Sequence, residues 1–170
     1  MRYRFPLAAA VAALALGAFA DNSKFTHYGL RDAATGKATS LASLKGKYKA
    51  IYIDFFAKWC GPCQGEIVKV IQLHNQLSSK GVGFVGIDVW EPWAAMQQDM
   101  KMRGINYAVM HDDATAPKGI LQILGLREIP VVIILDGKTL AEKGRWTNGL
   151  DPTGKAEAEQ MRLLRSMGVR

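Results

Sequence analysis

Apolar positions recur along this chain in several rhythms. Two near-continuous runs, Ala50 to Phe56 and Val82 to Val89, have strand length and read as strands covered on both faces. Between them Ile67, Val70, Ile71, His74 and Leu77 repeat at three- and four-residue steps, which predicts a helix ending near Lys80-Gly81. Trp93, Met96 and Met100 share a second helical face that stops before Gly104. Thr115 and Pro117 open a short helix through Ile120, Ile123 and Leu124, closed by Gly125. Val131 to Leu135, the Asp136-Gly137 turn and Leu140 to Trp146 predict a hairpin. Asp151-Pro152 then starts a last helix carrying Met161 and Leu164. Ahead of all these, Phe25 to Leu30 reads as a short strand, Asp32 to Gly36 as a turn, and Lys37 to Ser40 as a returning strand. Successive βαβ units followed by a hairpin and a helix predict an α/β sandwich with helices on both faces of the sheet. No repeat or long linker divides it.

The first twenty residues follow a different pattern. Arg2 and Arg4 precede an apolar run from Leu7 to Ala20, which is shorter than the roughly 18 to 20 residues a membrane-crossing helix needs. Small residues in Ala18-Phe19-Ala20 and the polar Asp21-Asn22-Ser23 complete the layout of a cleaved secretory leader. An uncleaved anchor is the competing reading, but the run lacks a stop-transfer flank, and no Cys follows it to carry a lipid. The expected division is residues 1–20 as leader and 21–170 as one domain without a membrane span. That domain is expected to work outside the cytoplasm, in the periplasm or its equivalent, where disulfides persist.

Composition adds limits. At 170 residues, 49% hydrophobic and 22% charged, the chain is neither disordered nor fibrous. Loss of Arg2 and Arg4 with the leader takes the net charge from +7 to +5. The remaining basic residues cluster loosely, at Lys45, Lys47 and Lys49 and at Lys138, Lys143 and Arg145, without an aromatic-interleaved stripe. They read as solvated surface, and no nucleic-acid partner is expected.

Both cysteines of the chain stand in Trp59-Cys60-Gly61-Pro62-Cys63, at the junction between a strand and a helix. There the unpaired N–H groups and the positive end of the helix dipole favour a thiolate over a thiol. The i, i+3 spacing brings Cys63 within reach of Cys60, and Pro62 in the first turn forfeits no hydrogen bond. A purely structural disulfide closing so short a loop would contribute only about 2 kcal/mol. Zinc needs four ligands, and His27, His74 and His111 show no paired spacing; His74, on an apolar stripe, reads as a hydrogen-bonded core histidine. Copper(I) held by the thiolates with Met96, Met100 or Met102 remains a chemical alternative, although such methionines ordinarily pack helices. Reversible dithiol–disulfide chemistry fits the motif best.

Ile51 to Cys63, IYIDFFAKWCGPC, resembles the thioredoxin active-site segment, and Leu124 to Leu135, LGLREIPVVIIL, resembles the segment carrying its cis-proline, here Pro130. The amino-terminal FTHYGLRDAATGKATSLASLKGKY and the stretch from Trp93 to Gly104 resemble the hairpin and extra helix of the TlpA/ResA-like extracytoplasmic branch. The resemblance implies a three-layer α/β/α sandwich on a mixed sheet, with an N-terminal β-hairpin and a helix insertion. It also implies a redox-active Cys60–Cys63 disulfide that needs no cofactor or bound metal. Asp54 matches the buried acid beneath the second cysteine of thioredoxins, a position where many TlpA relatives have Asn. Glu91 matches an acid that ResA-like proteins place near their disulfide; a solvated capping residue before Pro92 is the plainer alternative. Glu66 also matches a recurrent family Glu but reads as a surface residue. Val68 departs from a helix-kinking Pro, and Val131 from a Thr, that the branch commonly carries.

The implied reaction starts when reduced Cys60 attacks a client disulfide, and ends when Cys63, helped by Asp54, resolves the mixed disulfide. Trp59, Gly61, Pro62, Ile129 and Pro130 are expected to form the client-docking rim, with Gly144 near it. The Gly-Pro pair resembles reducing members, which implies a reductase recharged by a membrane thiol donor; the branch implies apocytochrome c or a copper-site protein as client, and a monomer is expected. An oxidase or isomerase, or in another class a copper chaperone, are the rivals.

Overall fold

The structure, a computed structural model, describes residues 22–147, 149 and 153–170. The leader and Asp151-Pro152 lie outside the described residues. Strand β3 (Ala50–Phe56) and strand β4 (Val82–Val89) are buried along their whole lengths, as their unbroken apolar runs require. They pair in parallel, joined by helix α2 (Gly61–Leu77) and a short 3-10 turn that ends at Gly81, whose φ is +95°. Strand β5 (Ala108–Asp112) continues the parallel set after helix α3 (Trp93–Arg103). Strands β6 (Val131–Asp136) and β7 (Glu142–Trp146) form the expected hairpin, antiparallel to β3. Asp136 closes its turn by accepting from the backbone N–H of Lys138 and of Thr139. With the hairpin β1 (Leu30–Asp32) and β2 (Ala38–Thr39), the sheet order among described residues is β2-β1-β5-β4-β3-β6-β7.

The period-two alternation of β3 divides the core. Ile51, Ile53 and Phe55 face a cluster with Val85, Ile87, Leu121 and Ile133. Ala50, Tyr52 and Phe56 face the other side, where they meet Ile67 and Val70 of α2, Met96 of α3 and Leu164 of helix α5 (Lys155–Ser166). Asp54 belongs by register to this second face. A mixed sheet between two helical layers is therefore the architecture, as expected.

Four local expectations are corrected. Residues Ser23–Thr26 form a single helical turn, α1, in place of a strand from Phe25, and the strand begins only at Leu30. Helix α4 is confined to Ile120–Ile123, with Gly119 as its N-cap at φ +94°, a backbone conformation that favours glycine. Helix α5 begins at Lys155, after Gly154 in the left-handed region. His74 is no hydrogen-bonded core histidine: its Nδ1 has no partner, and its ring packs edge-on against Phe84 at 5.5 Å.

Candidate active site

Strand β3 ends at Phe56, and three residues later the chain turns into α2, so Cys60 becomes the helix N-cap. Its Sγ accepts a hydrogen bond from the Cys63 N–H at 3.2 Å, the place where a thiolate would gain most from the helix terminus. The two cysteines are joined in a disulfide, Cα to Cα 5.4 Å, and both are almost completely buried. Gly61 and Pro62 occupy the first helical turn, and both are exposed beside the disulfide. Across from them the Ile129–Pro130 peptide is cis, and the Ile129 carbonyl oxygen lies 3.7 Å from Cys60 Sγ. Helix α2 runs without interruption through Val68, which is exposed, so the absent proline leaves a continuous helix.

The loop before Cys60 is held from two directions. The Lys58 N–H donates to Glu91 Oε1 at 2.8 Å, while the Lys58 carbonyl accepts from Gln64 Nε2 at 2.8 Å. Glu91 is thus tied to the cysteine loop and is not a solvated cap. Trp59, 55% exposed, stacks on Trp90 with ring centroids 6.2 Å apart and planes at 10°. Trp90 is itself fixed by a left-handed backbone (φ +59°) and by donation from its indole N–H to the Lys118 carbonyl at 2.8 Å. A bulky residue in that region costs of order 1–3 kcal/mol, and such strain tends to occur at functional sites.

Beneath the disulfide lies an acidic layer. Asp54 is buried on the α2-facing side of β3 and accepts from the Tyr107 hydroxyl at 3.4 Å. Burial first, then the charge of Glu66, lifts its carboxyl well above the ordinary range against the opposing Tyr107 hydrogen bond. Glu66 is therefore not the surface residue expected. It stands one helical step after Cys63, on the same inward face, and is 5% exposed. The same burial and the Asp54 charge hold the Tyr107 hydroxyl above its ordinary value. Gly149 passes so close to the Glu66 carboxylate, at φ +60°, that no side chain could replace its hydrogen.

The expected docking residues do not all gather here. Trp59, Gly61, Pro62, Ile129 and Pro130 surround the disulfide, but Gly144 does not. It pairs with Ile134 in the middle of the β6–β7 hairpin, and a Cβ there would press on Trp146 and Leu163 under α5. Its small size serves helix packing rather than client approach. Trp90, Tyr107 and Asp88 were not singled out from the sequence, and His111, which pairs with Asp88, was named there only as a zinc candidate. Only the nearness of Trp90 to Glu91 could have drawn attention to it. Among the described residues no three His, Cys, Asp or Glu groups converge as a metal site. Met96 is packed in the core and Met102 is 60% exposed.

A mixed sheet flanked by helices, with a CxxC disulfide at a helix N-terminus facing a cis-proline, defines the thioredoxin-fold class of dithiol proteins. Residues 19–140 match the Redoxin family model. The thiol-disulfide oxidoreductase ResA of Bacillus subtilis (strain 168) is 27% identical over 116 residues, 68% of this chain and 62% of that protein. A thiol:disulfide interchange protein of the thioredoxin family from Chlorobium tepidum TLS is 31% identical with a TM-score of 0.61, covering 80% of this chain and 92% of that one. A putative thiol-disulfide oxidoreductase from Bacteroides vulgatus is 27% identical with a TM-score of 0.62, covering 82% and 87%. The chain spans about three fifths of the length of the curated relatives it matches. It belongs to the Redoxin family and is similar to the ResA thiol-disulfide oxidoreductases.

Proposed function

We propose that this protein reduces disulfides of client proteins outside the cytoplasm by exchange through Cys60 and Cys63. The observation that carries the reading is the placement of the Cys60 sulfur, which accepts the Cys63 N–H at the start of α2 and lies beside the Ile129–Pro130 peptide. In the reduced protein the helix terminus stabilises the Cys60 thiolate, which attacks one sulfur of the client disulfide. A Cys60–client bond forms, the client S–S bond breaks, and one client thiolate leaves and takes a proton from solvent. Cys63 then gives its proton to Asp54 and attacks Cys60, so that the second client thiol is released and the protein is left oxidised. Burial brings the Asp54 carboxyl closer to a thiol in proton affinity, which lowers the cost of that transfer.

Two electrons per cycle must then be restored by another thiol protein, and a membrane-held donor suits a domain delivered by a cleaved leader. The leader pattern of residues 1–20 supports this location, and no helix among the described residues is long and apolar enough to cross a membrane. The Gly-Pro pair inside the motif favours reduction over oxidation, and the branch suggests apocytochrome c or a copper-site protein as client. Trp59, Gly61, Pro62, Ile129 and Pro130 form the docking rim of this reading.

A Cys63→Ser variant tests it. Stalled after the first attack, the protein should accumulate client adducts that migrate as covalent complexes and disappear with thiol reductant. An extracytoplasmic extract that yields no such adducts contradicts the exchange reading. The equilibrium of the Cys60–Cys63 pair with glutathione tests direction: a couple well above about −200 mV replaces the reductase with an oxidase.

A further inference from the structure

The surplus charge of the domain is gathered at one end. Strand β3 begins at Ala50, which pairs with Val82 of β4 on one side and Asp136 of β6 on the other. The segment before it, residues 45–49, is tied to three neighbours there. The Lys49 N–H donates to the Gly81 carbonyl at 2.8 Å, and the Lys49 carbonyl accepts from the Gly137 N–H at 3.0 Å. The Lys49 ammonium donates to the Gly168 carbonyl, just beyond α5, at 3.0 Å. These bonds gather Lys45, Lys47, Lys49, Lys80, Lys138 and Arg165 at one end of the sheet, and all six are exposed. The acid among these segments is Asp136, whose carboxylate already accepts from the Lys138 and Thr139 N–H groups and the Thr139 hydroxyl. Six cations less Asp136 equal the +5 that residues 21–170 carry, so charge over the rest of the domain balances. The disulfide lies at the opposite end, because Cys60 follows the last of the seven residues of β3, a span of about 20 Å. There Lys58 and Arg127 are accompanied by Glu91 and Glu128.

Three features suit this end to a lipid surface rather than to a folded acidic partner. Five of the six cations are lysines, drawn from three separate segments. A lysine is a point charge without the planar fork of arginine, and it meets diffuse negative charge better than one fixed acceptor pair. Tyr48 stands between Lys47 and Lys49 and is 37% exposed, with its ring against Gly83, where an added Cβ would meet it at 2.6 Å. A tyrosine with one face packed and one exposed is the kind of side chain that settles at the headgroup level of a bilayer. Between Lys80 and Arg165 a recess of about 430 Å³ opens over Leu77 and Met161, which gives a headgroup an apolar floor beside two cations. We propose that the end of the sheet opposite the disulfide docks on an anionic lipid bilayer, through these cations and Tyr48. The domain then lies on the surface without spanning it, and Cys60 faces away from the lipid, open to client proteins. Each Lys or Arg brought near an anionic surface contributes about fivefold in affinity, and the attraction fades beyond about 8 Å in physiological salt. Docking involves no redox step, so it is independent of the exchange reaction proposed above.

The chain without its leader, residues 21–170, holds every described element and is sedimented with vesicles. One set is phosphatidylcholine alone, and the other contains about 30% phosphatidylglycerol. The protein should bind the anionic vesicles and not the neutral ones, and bind at least tenfold more weakly in about 500 mM salt than in about 50 mM. Lys45→Gln with Lys47→Gln should weaken binding about 25-fold. Lys101→Gln with Lys155→Gln removes the same charge from exposed positions elsewhere and should weaken it less than threefold. On vesicles, dithiothreitol should reduce the Cys60–Cys63 disulfide within about twofold of its rate in solution. Equal weakening by the two pairs, binding to neutral vesicles, or a disulfide shielded on vesicles overturns the proposal. So does binding to polyglutamate without binding to vesicles, which assigns this end to an acidic protein. Should a variant fail to fold, the lipid and salt dependence of the wild-type protein decides in the same way. Protein that exchanges disulfides but ignores anionic vesicles defeats the docking alone, and vesicle-bound protein without exchange defeats the reductase reading alone.

Discussion

At the scale of single residues, the site separates two acids by their surroundings. Asp54 has one weakly accepting oxygen, a second without any partner, and a neighbouring Glu66 that opposes its ionisation. Its carboxyl sits above the unfolded value of about 3.9, so as pH rises the unfolded chain ionises there first. This group's contribution to stability is therefore complete below about pH 4 and declines as pH rises, until the folded carboxyl itself ionises. Asp54→Asn should accordingly raise the urea midpoint at pH 8 relative to wild type, with the gap closing towards pH 4. A constant gap across that range contradicts the assignment. The same variant removes the acceptor for the Cys63 proton, so the mixed disulfide should resolve about 100-fold more slowly at neutral pH, measured by acid-quenched trapping. Trp59 stands at the other extreme. Its ring is exposed and rests on Trp90, so Trp59→Ala should change stability by no more than about 0.5 kcal/mol while raising KM for a client protein. An unchanged KM would remove Trp59 from the docking rim.

At the scale of elements, close approach between strands and rings holds the acid in place. Gly86 in β4 lies opposite Asp54 in β3, and a Cβ there would come within 2.7 Å of Phe56 and 3.0 Å of Tyr107. Both neighbours are rigid buried rings, so Gly86→Ala should cost about 1–3 kcal/mol in urea unfolding and push Tyr107 away from Asp54. A neutral result would mean that the β4–β5 layer yields more easily than its burial suggests. This dependence explains what could be read without coordinates. Strands β3, β4 and β6 were legible because burial on both faces leaves an unbroken apolar run, and Cys60 and Cys63 because the motif carries its own chemistry. Strand β5 was not, since AVMHD ends in two polar residues that are buried only because Asp88 receives one and Tyr28 and the start of α4 receive the other. Glu66 misled for a related reason: a carboxylate in a helix usually faces water, and only its phase relative to Cys63 revealed the inward side. The four residues of α1 are too few for a 3.6-residue period to show. Gly144 sits two residues along β7 from the end nearest the site, and sequence spacing alone does not resolve that displacement.

At the scale of the whole molecule, a proposed leader and a redox domain must agree on where and in which direction electrons move. If residues 1–20 are removed on export, mass spectrometry of the exported protein should find a chain beginning at Asp21; a retained leader would make the domain membrane-anchored. Direction can be argued from folding alone. The disulfide closes a loop between residues only three apart, so in the unfolded chain it contributes little, about 2 kcal/mol by loop entropy. The difference in stability between the oxidised and reduced folded proteins therefore reports how much the fold prefers one state of the pair. A strong oxidant is one whose fold prefers the dithiol, and a reductant is one whose fold tolerates or favours the disulfide, with about 1.4 kcal/mol for every 30 mV. Here the disulfide sulfurs are buried, and the acids Asp54 and Glu66 disfavour further negative charge beneath the pair. The oxidised protein should therefore unfold at a higher urea concentration than the reduced one at pH 7. If the reduced form proves the more stable, the fold is built to pull electrons in, and the protein oxidises its clients.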